Sequence, residues 1–307
     1  MGVLEFFKIR RNKKVVPEWP VPMRKNYALN DLHLRDPFII TEGDCYYLTG
    51  TLSHENISDG YGVPIYKSKD LKTWAGPELI VDREDGLRGF SCFWAPEIHK
   101  VDGEYWLFVT LEPKGGKRGT YLFRSKEIDG KYDMVARVTP KDMFSLDGTL
   151  WEENGEKYVV YCYEWVEAKD GHIRAVKLLE GGSGIDDSTD TLLFKASANV
   201  FYPRLNPNKI TDGPFLYKDG EKLKMLWSTV GGKKAYMLLS ATSSGGLFGE
   251  WTQDTLIYDN DGGHGMVFDT FDGQRKILIH APNGRNYDKG VFEHPVILPF
   301  GKHKKHL

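Results

Sequence analysis

Short apolar runs punctuated by glycine turns, not long amphipathic stretches, organise this chain. In the stretch Asp212-Gly213-Pro214-Phe215-Leu216-Tyr217, an acidic residue opens a short apolar run that turns at Gly220 into a second run from Leu223. The same order recurs at Asp36-Pro37-Phe38-Ile39-Ile40 with Gly43, at Ala95-Pro96-Glu97-Ile98 with Gly103, at Asp147-Gly148-Thr149-Leu150 with Gly155, and at His264-Gly265-Met266-Val267-Phe268 with Gly273. The five turn glycines stand 60, 52, 65 and 53 residues apart. A period near 50 residues is that of propeller blades, and no helical period of 3.6 persists beyond about two turns. The pattern predicts an all-β chain forming a five-bladed β-propeller, one domain over residues 1–307, with an extended lead-in over about residues 1–30.

Blade one is expected from Arg35, with strands at 36–40, 46–51 and 63–67 and a last strand before Asp82; Trp74 tucks between blades. Blade two opens at Phe93-Trp94-Ala95-Pro96-Glu97, and blade three runs from Ser145 to near Glu180. The segment Gly181-Gly182-Ser183-Gly184 reads as a loop between blades three and four. Blade four starts at Thr211, and blade five runs from Gly262 to near Leu298.

A hydrophobic fraction of 40% is ample for a core, and a net charge of −2 offers no general attraction to nucleic acid or to an anionic membrane. Cys45, Cys92 and Cys162 have no zinc-ligand spacing and read as free, small, buried residues. The amino end places its apolar cluster before its basic residues, the reverse of a secretory signal, and no run approaches a membrane span. A cytoplasmic chain is the expectation, or a secreted or periplasmic one if a signal has been trimmed.

The start of each inner strand faces one mouth of the central channel, so the repeats gather Asp36, the Trp94 to Glu97 segment, Asp147, Asp212 and His264. Each alone is ordinary turn chemistry. Their recurrence at matching points is not. Converging carboxylates can flank a glycosidic bond as proton donor and water activator, with a third biasing their pKa values; alternatively they bind a cation with His264. Trp94 and Phe93 are candidates to stack on a sugar, and Arg285 to hold its hydroxyls; His54, Asp59 and Arg204 are weaker candidates. Glu97 reads as a structural acceptor.

Arg35-Asp36-Pro37, Phe93-Trp94-Ala95-Pro96-Glu97, Ser145-Leu146-Asp147-Gly148, Asp212-Gly213-Pro214 and Gly263-His264-Gly265, taken in order, resemble glycoside hydrolase family 43, five-bladed propeller enzymes acting on arabinose- and xylose-containing glycans. The resemblance covers about Arg35 to Asn283. It implies that Asp36 is the general base, that Asp147 raises the pKa of the acid and orients it, and that position 212 is the general acid. It implies an inverting mechanism, a hydrated calcium ion held through His264 in the channel, and Trp94 as an aromatic wall; no organic cofactor is implied. The family usually has Glu where this chain has Asp212, and one methylene fewer withdraws the carboxyl by roughly 1 to 1.5 Å. The reading that follows is an exo-acting α-L-arabinofuranosidase, with β-xylosidase second, partly because no β-sandwich follows residue 300. The alternative is a non-catalytic carbohydrate-binding propeller, motivated by Asp212.

Overall fold

Strands form where the apolar runs flank the turn glycines. The computed structural model describes residues 26–52, 61–201, 209–231, 236–284 and 289–301. Blade one comprises β2 (Leu34–Glu42), β3 (Cys45–Leu52), β4 (Gly62–Ser68) and β5 (Thr73–Asp82), and β1 (Tyr27–Ala28) adds to the outer edge of β5. Blade two comprises β6 (Phe90–Val101), β7 (Glu104–Pro113), β8 (Gly119–Ser125) and β9 (Asp133–Arg137). Blade three contains β10 (Ser145–Glu153), β11 (Glu156–Tyr163), β12 (His172–Leu178) and β13 (Ile185–Lys195), with the one-turn α1 (Trp165–Ala168) after β11. Blade four contains β14 (Asp212–Asp219), β15 (Lys222–Val230), β16 (Tyr236–Ser243) and β17 (Trp251–Tyr258). Blade five, among the described residues, contains β18 (Gly263–Asp269), β19 (Arg275–Ala281) and β20 (His294–Pro299). All pairings within the blades are antiparallel.

The inner strands close a ring: β2 lies against β6 and β18, β10 against β6 and β14, and β14 against β18. Side chains alternate across each strand, so both faces of a blade are apolar and each interface between blades becomes a core. Five clusters result. Ile65 packs with Leu107 between blades one and two, Phe108 with Tyr161 between two and three, and Val160 with Trp227 between three and four. Leu238 packs with Ile279 between blades four and five, and Trp74 with Leu278 closes the circle between one and five. Burying each such side chain contributes about 1.5–3 kcal/mol. The three cysteines are free and buried.

One expected boundary is corrected. Blade three does not end near Glu180, because Leu178 pairs with Ile185, which makes the Gly181 to Gly184 segment a hairpin turn inside the blade. Gly182, at φ 69°, closes that turn against Leu122 and Trp106 of blade two, where a β-carbon would lie 2.2 Å from Leu122. The close approach requires glycine at 182, and the left-handed backbone at 181 favours it there.

Candidate active site

Every inner strand breaks its ladder at the same place, and β6 breaks it a second time, between Cys92 and Trp94. The register jumps between Arg35 and Phe38, Trp94 and Glu97, Leu146 and Thr149, Asp212 and Phe215, and Gly263 and Met266. At each jump one residue adopts a left-handed backbone: Asp36 (φ 49°), Ala95 (45°), Asp147 (56°), Gly213 (52°) and His264 (50°). The next residue is always Pro or Gly. A bulge of this kind re-aims a side chain out of the pleat, and for a residue other than glycine the conformation costs about 1–3 kcal/mol.

A ring of side-chain acceptors holds the five bulges. The N–H of Asp36 donates to His280 Nδ1 at 3.1 Å, that of Ala95 to Thr51 Oγ1 at 2.7 Å, that of Asp147 to Thr110 Oγ1 at 2.9 Å, and that of His264 to Ser228 Oγ at 2.7 Å. Each acceptor belongs to the preceding blade, on its second strand, at a matching register: Thr51 opposite Arg35, Thr110 opposite Trp94, Ser228 opposite Asp212 and His280 opposite Gly263. Blade three departs from the rule. Its matching residue, opposite Leu146, is Cys162, a weak acceptor, and the N–H of Gly213 donates instead to Asp147 Oδ2 at 3.0 Å.

This geometry shows that Asp212 is not the counterpart of Asp36 and Asp147 in the repeat. Gly213 holds that place, and Asp212 stands one residue earlier, like Arg35. Glycine is needed at 213, where a β-carbon would lie 2.7 Å from the His264 ring. The third carboxylate therefore enters the mouth from the extended residue before the bulge.

The charges interlock. His264 Nδ1 lies 3.1 Å from Asp36 Oδ1 and 3.8 Å from Asp147 Oδ2. Burial would lower the His264 imidazole, but Asp36 and Asp147 outweigh it and push it up to about 10. Burial would likewise raise the Asp36 carboxyl; the charge and hydrogen bond of His264, with Arg35, hold it instead well below the usual range. Thr51 Oγ1 donates to Asp36 Oδ2 at 2.7 Å. Arg35 is itself anchored, through Nη1 to Glu293 Oε1 at 3.1 Å and through Nη2 to Asn283 Oδ1 at 2.8 Å. His280 Nδ1 is also 3.4 Å from Asp36 Oδ1, but that is not an ion pair. The nitrogen accepts the Asp36 N–H, so the proton sits on Nε2, which faces Asn283 Oδ1 at 3.2 Å; burial and Arg35 bring His280 down to about 3.

Asp147 and Asp212 behave oppositely to Asp36. Burial raises both, and repulsion from neighbouring carboxylates adds to it, against the pull of His264. They titrate as a pair that keeps a proton near neutrality. Tyr236 donates its hydroxyl to Asp212 Oδ2 at 3.1 Å.

Trp94 is half-buried, with Arg118 stacked on it, Cζ to ring centroid 4.8 Å. Phe93 is corrected: at 1% exposure it belongs to the core between blades one and two and offers no face to a sugar. The bulged backbone at Cys92 and Phe93 turns that ring inward while Trp94 stays at the mouth. Glu97 is buried and meets His99 Nε2 at 3.1 Å, as a structural acceptor does. Arg285, His54, Asp59 and Arg204 lie outside the described residues.

The side chains around His264 supply too few oxygens for calcium bound directly, which takes six to eight; a hydrated ion, whose waters supply the oxygens, would need a His264 nitrogen free of its proton. Its Nδ1 is occupied by a proton shared with Asp36, and no group of three or more His, Cys, Asp or Glu among the described residues is arranged to hold a metal.

Sequence reasoning passed over the acceptor ring, Tyr236, Arg118 and Glu164. The ring had a readable signal: Thr51, Thr110, Cys162 and Ser228 each follow the bulge residue by 15 positions, and His280 by 16. Tyr236, Arg118 and Glu164 carried no comparable spacing.

Comparison with known proteins agrees with this geometry. The model of glycosyl hydrolases family 43 matches residues 29–301. The crystal structure of an endo-arabinase from Bacteroides thetaiotaomicron VPI-5482 superposes with a TM-score of 0.78 at 34% identity, covering 89% of this chain and 95% of that one. Alpha-L-arabinofuranosidase 43 of Humicola insolens is 28% identical over 153 residues, 45% of this chain and 30% of the relative. An extracellular exo-alpha-(1->5)-L-arabinofuranosidase of Streptomyces avermitilis is 24% identical over 282 residues, 82% of this chain and 54% of the relative. The chain thus spans about half or less of the length of the curated relatives it matches.

Proposed function

The chain belongs to glycosyl hydrolases family 43, and from that premise we propose that it hydrolyses terminal α-L-arabinofuranosyl bonds of glycans, with β-xylosyl bonds as the second choice, by single displacement with inversion. The observation that carries the reading is the split among three buried carboxylates at one channel mouth. Asp36 is held ionised beside His264, while the Asp147/Asp212 pair retains a proton. A base and an acid of opposite protonation at the same pH are what glycoside hydrolysis by paired carboxyls requires, and inversion is the course the family resemblance implies.

Asp36 takes a proton from water as that water attacks the anomeric carbon. Thr51 and His264 fix the two carboxylate oxygens, so little reorganisation is needed. Asp212 gives its proton to the departing glycosidic oxygen. Burial lifts Asp147 to about 8 and raises Asp212 as well, and His264 pulls on both members of the pair; the transferred proton is assigned to Asp212 because Asp147 is engaged by the Gly213 N–H, while Asp212 meets the Tyr236 hydroxyl. Asp147 positions the acid by gripping the peptide next to it. Inversion calls for acid and base carboxyls about 6.5–9.5 Å apart, with the water between them.

Relatives named as arabinofuranosidases and an endo-arabinase support arabinose over xylose. The binding-only alternative rested on the short side chain at 212; the Tyr236 hydroxyl on its carboxyl and its charge interactions with His264 and Asp36 support its presence at the mouth despite its length. The deciding measurement is release of nitrophenol from a panel of aryl glycosides. Turnover of the α-L-arabinofuranoside above the β-xyloside is expected. Binding of arabino-oligosaccharides without any cleavage would leave the binding-only reading.

A further inference from the structure

On the rim between blades two and three, Arg118 lies between two carboxylates. Its Nε is 3.0 Å from Glu164 Oε1 and 3.3 Å from Glu112 Oε2, and the guanidinium stacks on Trp94 at 4.8 Å and faces Phe144 at 5.9 Å. Resting on the hydrolase reading above, we propose that Arg118, Glu164, Glu112 and Trp94 form a subsite for a second sugar unit, next to the one whose bond is cut.

The cluster has unspent hydrogen-bonding capacity. Glu164 is 6% exposed, and although its Oε1 and Arg118 Nε lie close, they are off the hydrogen-bond direction, so neither atom has a hydrogen-bond partner among the described residues. Buried polar atoms are ordinarily satisfied, and leaving one unmet costs about 1–3 kcal/mol. The two unmet atoms are available to a ligand or to water.

The chemistry of the cluster selects that party. Two carboxylates repel an anion and the guanidinium repels a cation; the cluster carries one net negative charge with both carboxyls ionised and is neutral with Glu164 protonated. A neutral ring with vicinal hydroxyls on its edge and C–H groups on its face matches what remains: the carboxylates accept from hydroxyls, Arg118 donates, and the indole receives the apolar face. Burial, opposed by Arg118 and reinforced by Asp212 and Glu112, lifts Glu164 to about 7, so its carboxyl can also donate near neutrality.

The position fits a neighbouring subsite. Trp94 precedes Ala95, whose N–H shares Thr51 Oγ1 with Asp36. On the other flank the N–H of Glu164 donates to the carbonyl of Phe144 at 2.9 Å, three residues before Asp147. The clamp is thus tied to the backbone on both sides of the catalytic mouth.

The test compares Arg118→Lys, which keeps charge but loses the planar fork, and Glu164→Gln with the unmodified protein. Each is assayed on α-1,5-linked arabinotriose and on the nitrophenyl arabinofuranoside, with melting temperatures recorded. The expected result is that the trisaccharide-to-aryl-glycoside ratio of kcat/KM falls roughly 10- to 100-fold in both variants, chiefly through KM, as for a lost charged hydrogen bond. An unchanged ratio, including an equal loss on both substrates, would overturn the subsite while leaving the hydrolase reading intact. Failure of the unmodified protein to turn over either substrate would overturn the arabinosidase reading, and the subsite with it.

Discussion

Gly213 donates its backbone N–H to Asp147 Oδ2 at 3.0 Å, so a carboxylate of blade three holds the peptide that carries Asp212 of blade four. The contact exists because position 213 combines a φ of 52° with no side chain against the His264 ring. Gly213→Ala is expected to destabilise the protein by about 2–4 kcal/mol, from left-handed strain plus overpacking. Denaturant unfolding measures it; a loss under about 0.5 kcal/mol would mean the ring moves aside freely.

Cys162 is the exception that leaves that N–H to Asp147. Cys162→Ser restores the hydroxyl found at Thr51, Thr110 and Ser228 and offers Gly213 a competing acceptor. A several-fold fall in kcat with unchanged melting temperature is expected, while Cys162→Ala stays within about twofold of the unmodified protein. Equal behaviour of the two variants would show that Asp147 keeps its grip regardless.

The two roles assigned to carboxylates separate by leaving group. Asp36→Asn removes the base, and turnover should fall by at least about 10²- to 10⁴-fold on every substrate. Asp212→Ala should lose a comparable factor on arabino-oligosaccharides but little on a nitrophenyl glycoside, whose leaving group needs no proton. Parallel losses on both substrates would remove Asp212 from the acid role.

Tyr236 sets the alkaline limit of activity. Its hydroxyl bond to Asp212 favours the charged form, so Tyr236→Phe raises the pKa of the acid. The acid then stays protonated to higher pH, and the alkaline limb of kcat should move upward. A shift downward would place the catalytic proton on another group.

His264 contributes stability with a definite pH window. Its pKa rises from 6.5 to about 10 on folding, so the contribution is complete below about 6.5 and is lost as pH climbs through about 10. The stability advantage of the unmodified protein over His264→Gln should shrink steadily over that interval. A difference constant from pH 6 to 10 would refute the buried imidazolium. The expected calcium ion at His264 is tested on the same samples: with the proton in place, a chelator should leave melting temperature and kcat unchanged.

The blades were legible in the chain because a strand-turn-strand unit repeats its apolar period and its turn glycine. Asp36, Asp147 and His264 were legible because the same unit repeats their position before Pro or Gly. Three things were not. Phe93 and Trp94 are neighbours with the same aromatic chemistry, and only the bulged backbone decides which one faces the core. The offset of Asp212 from Asp36 and Asp147 is a matter of φ, carried by Gly213, not of residue type. The Arg118 cluster joins side chains 94, 112, 118, 144 and 164 across two blades, and no local pattern announces it. Periodicity along the chain determined the architecture and which carboxylates are gathered. Which of them keeps its proton was decided by the tertiary structure alone, since that depends on burial and on distances of 3 to 4 Å between residues more than a hundred positions apart.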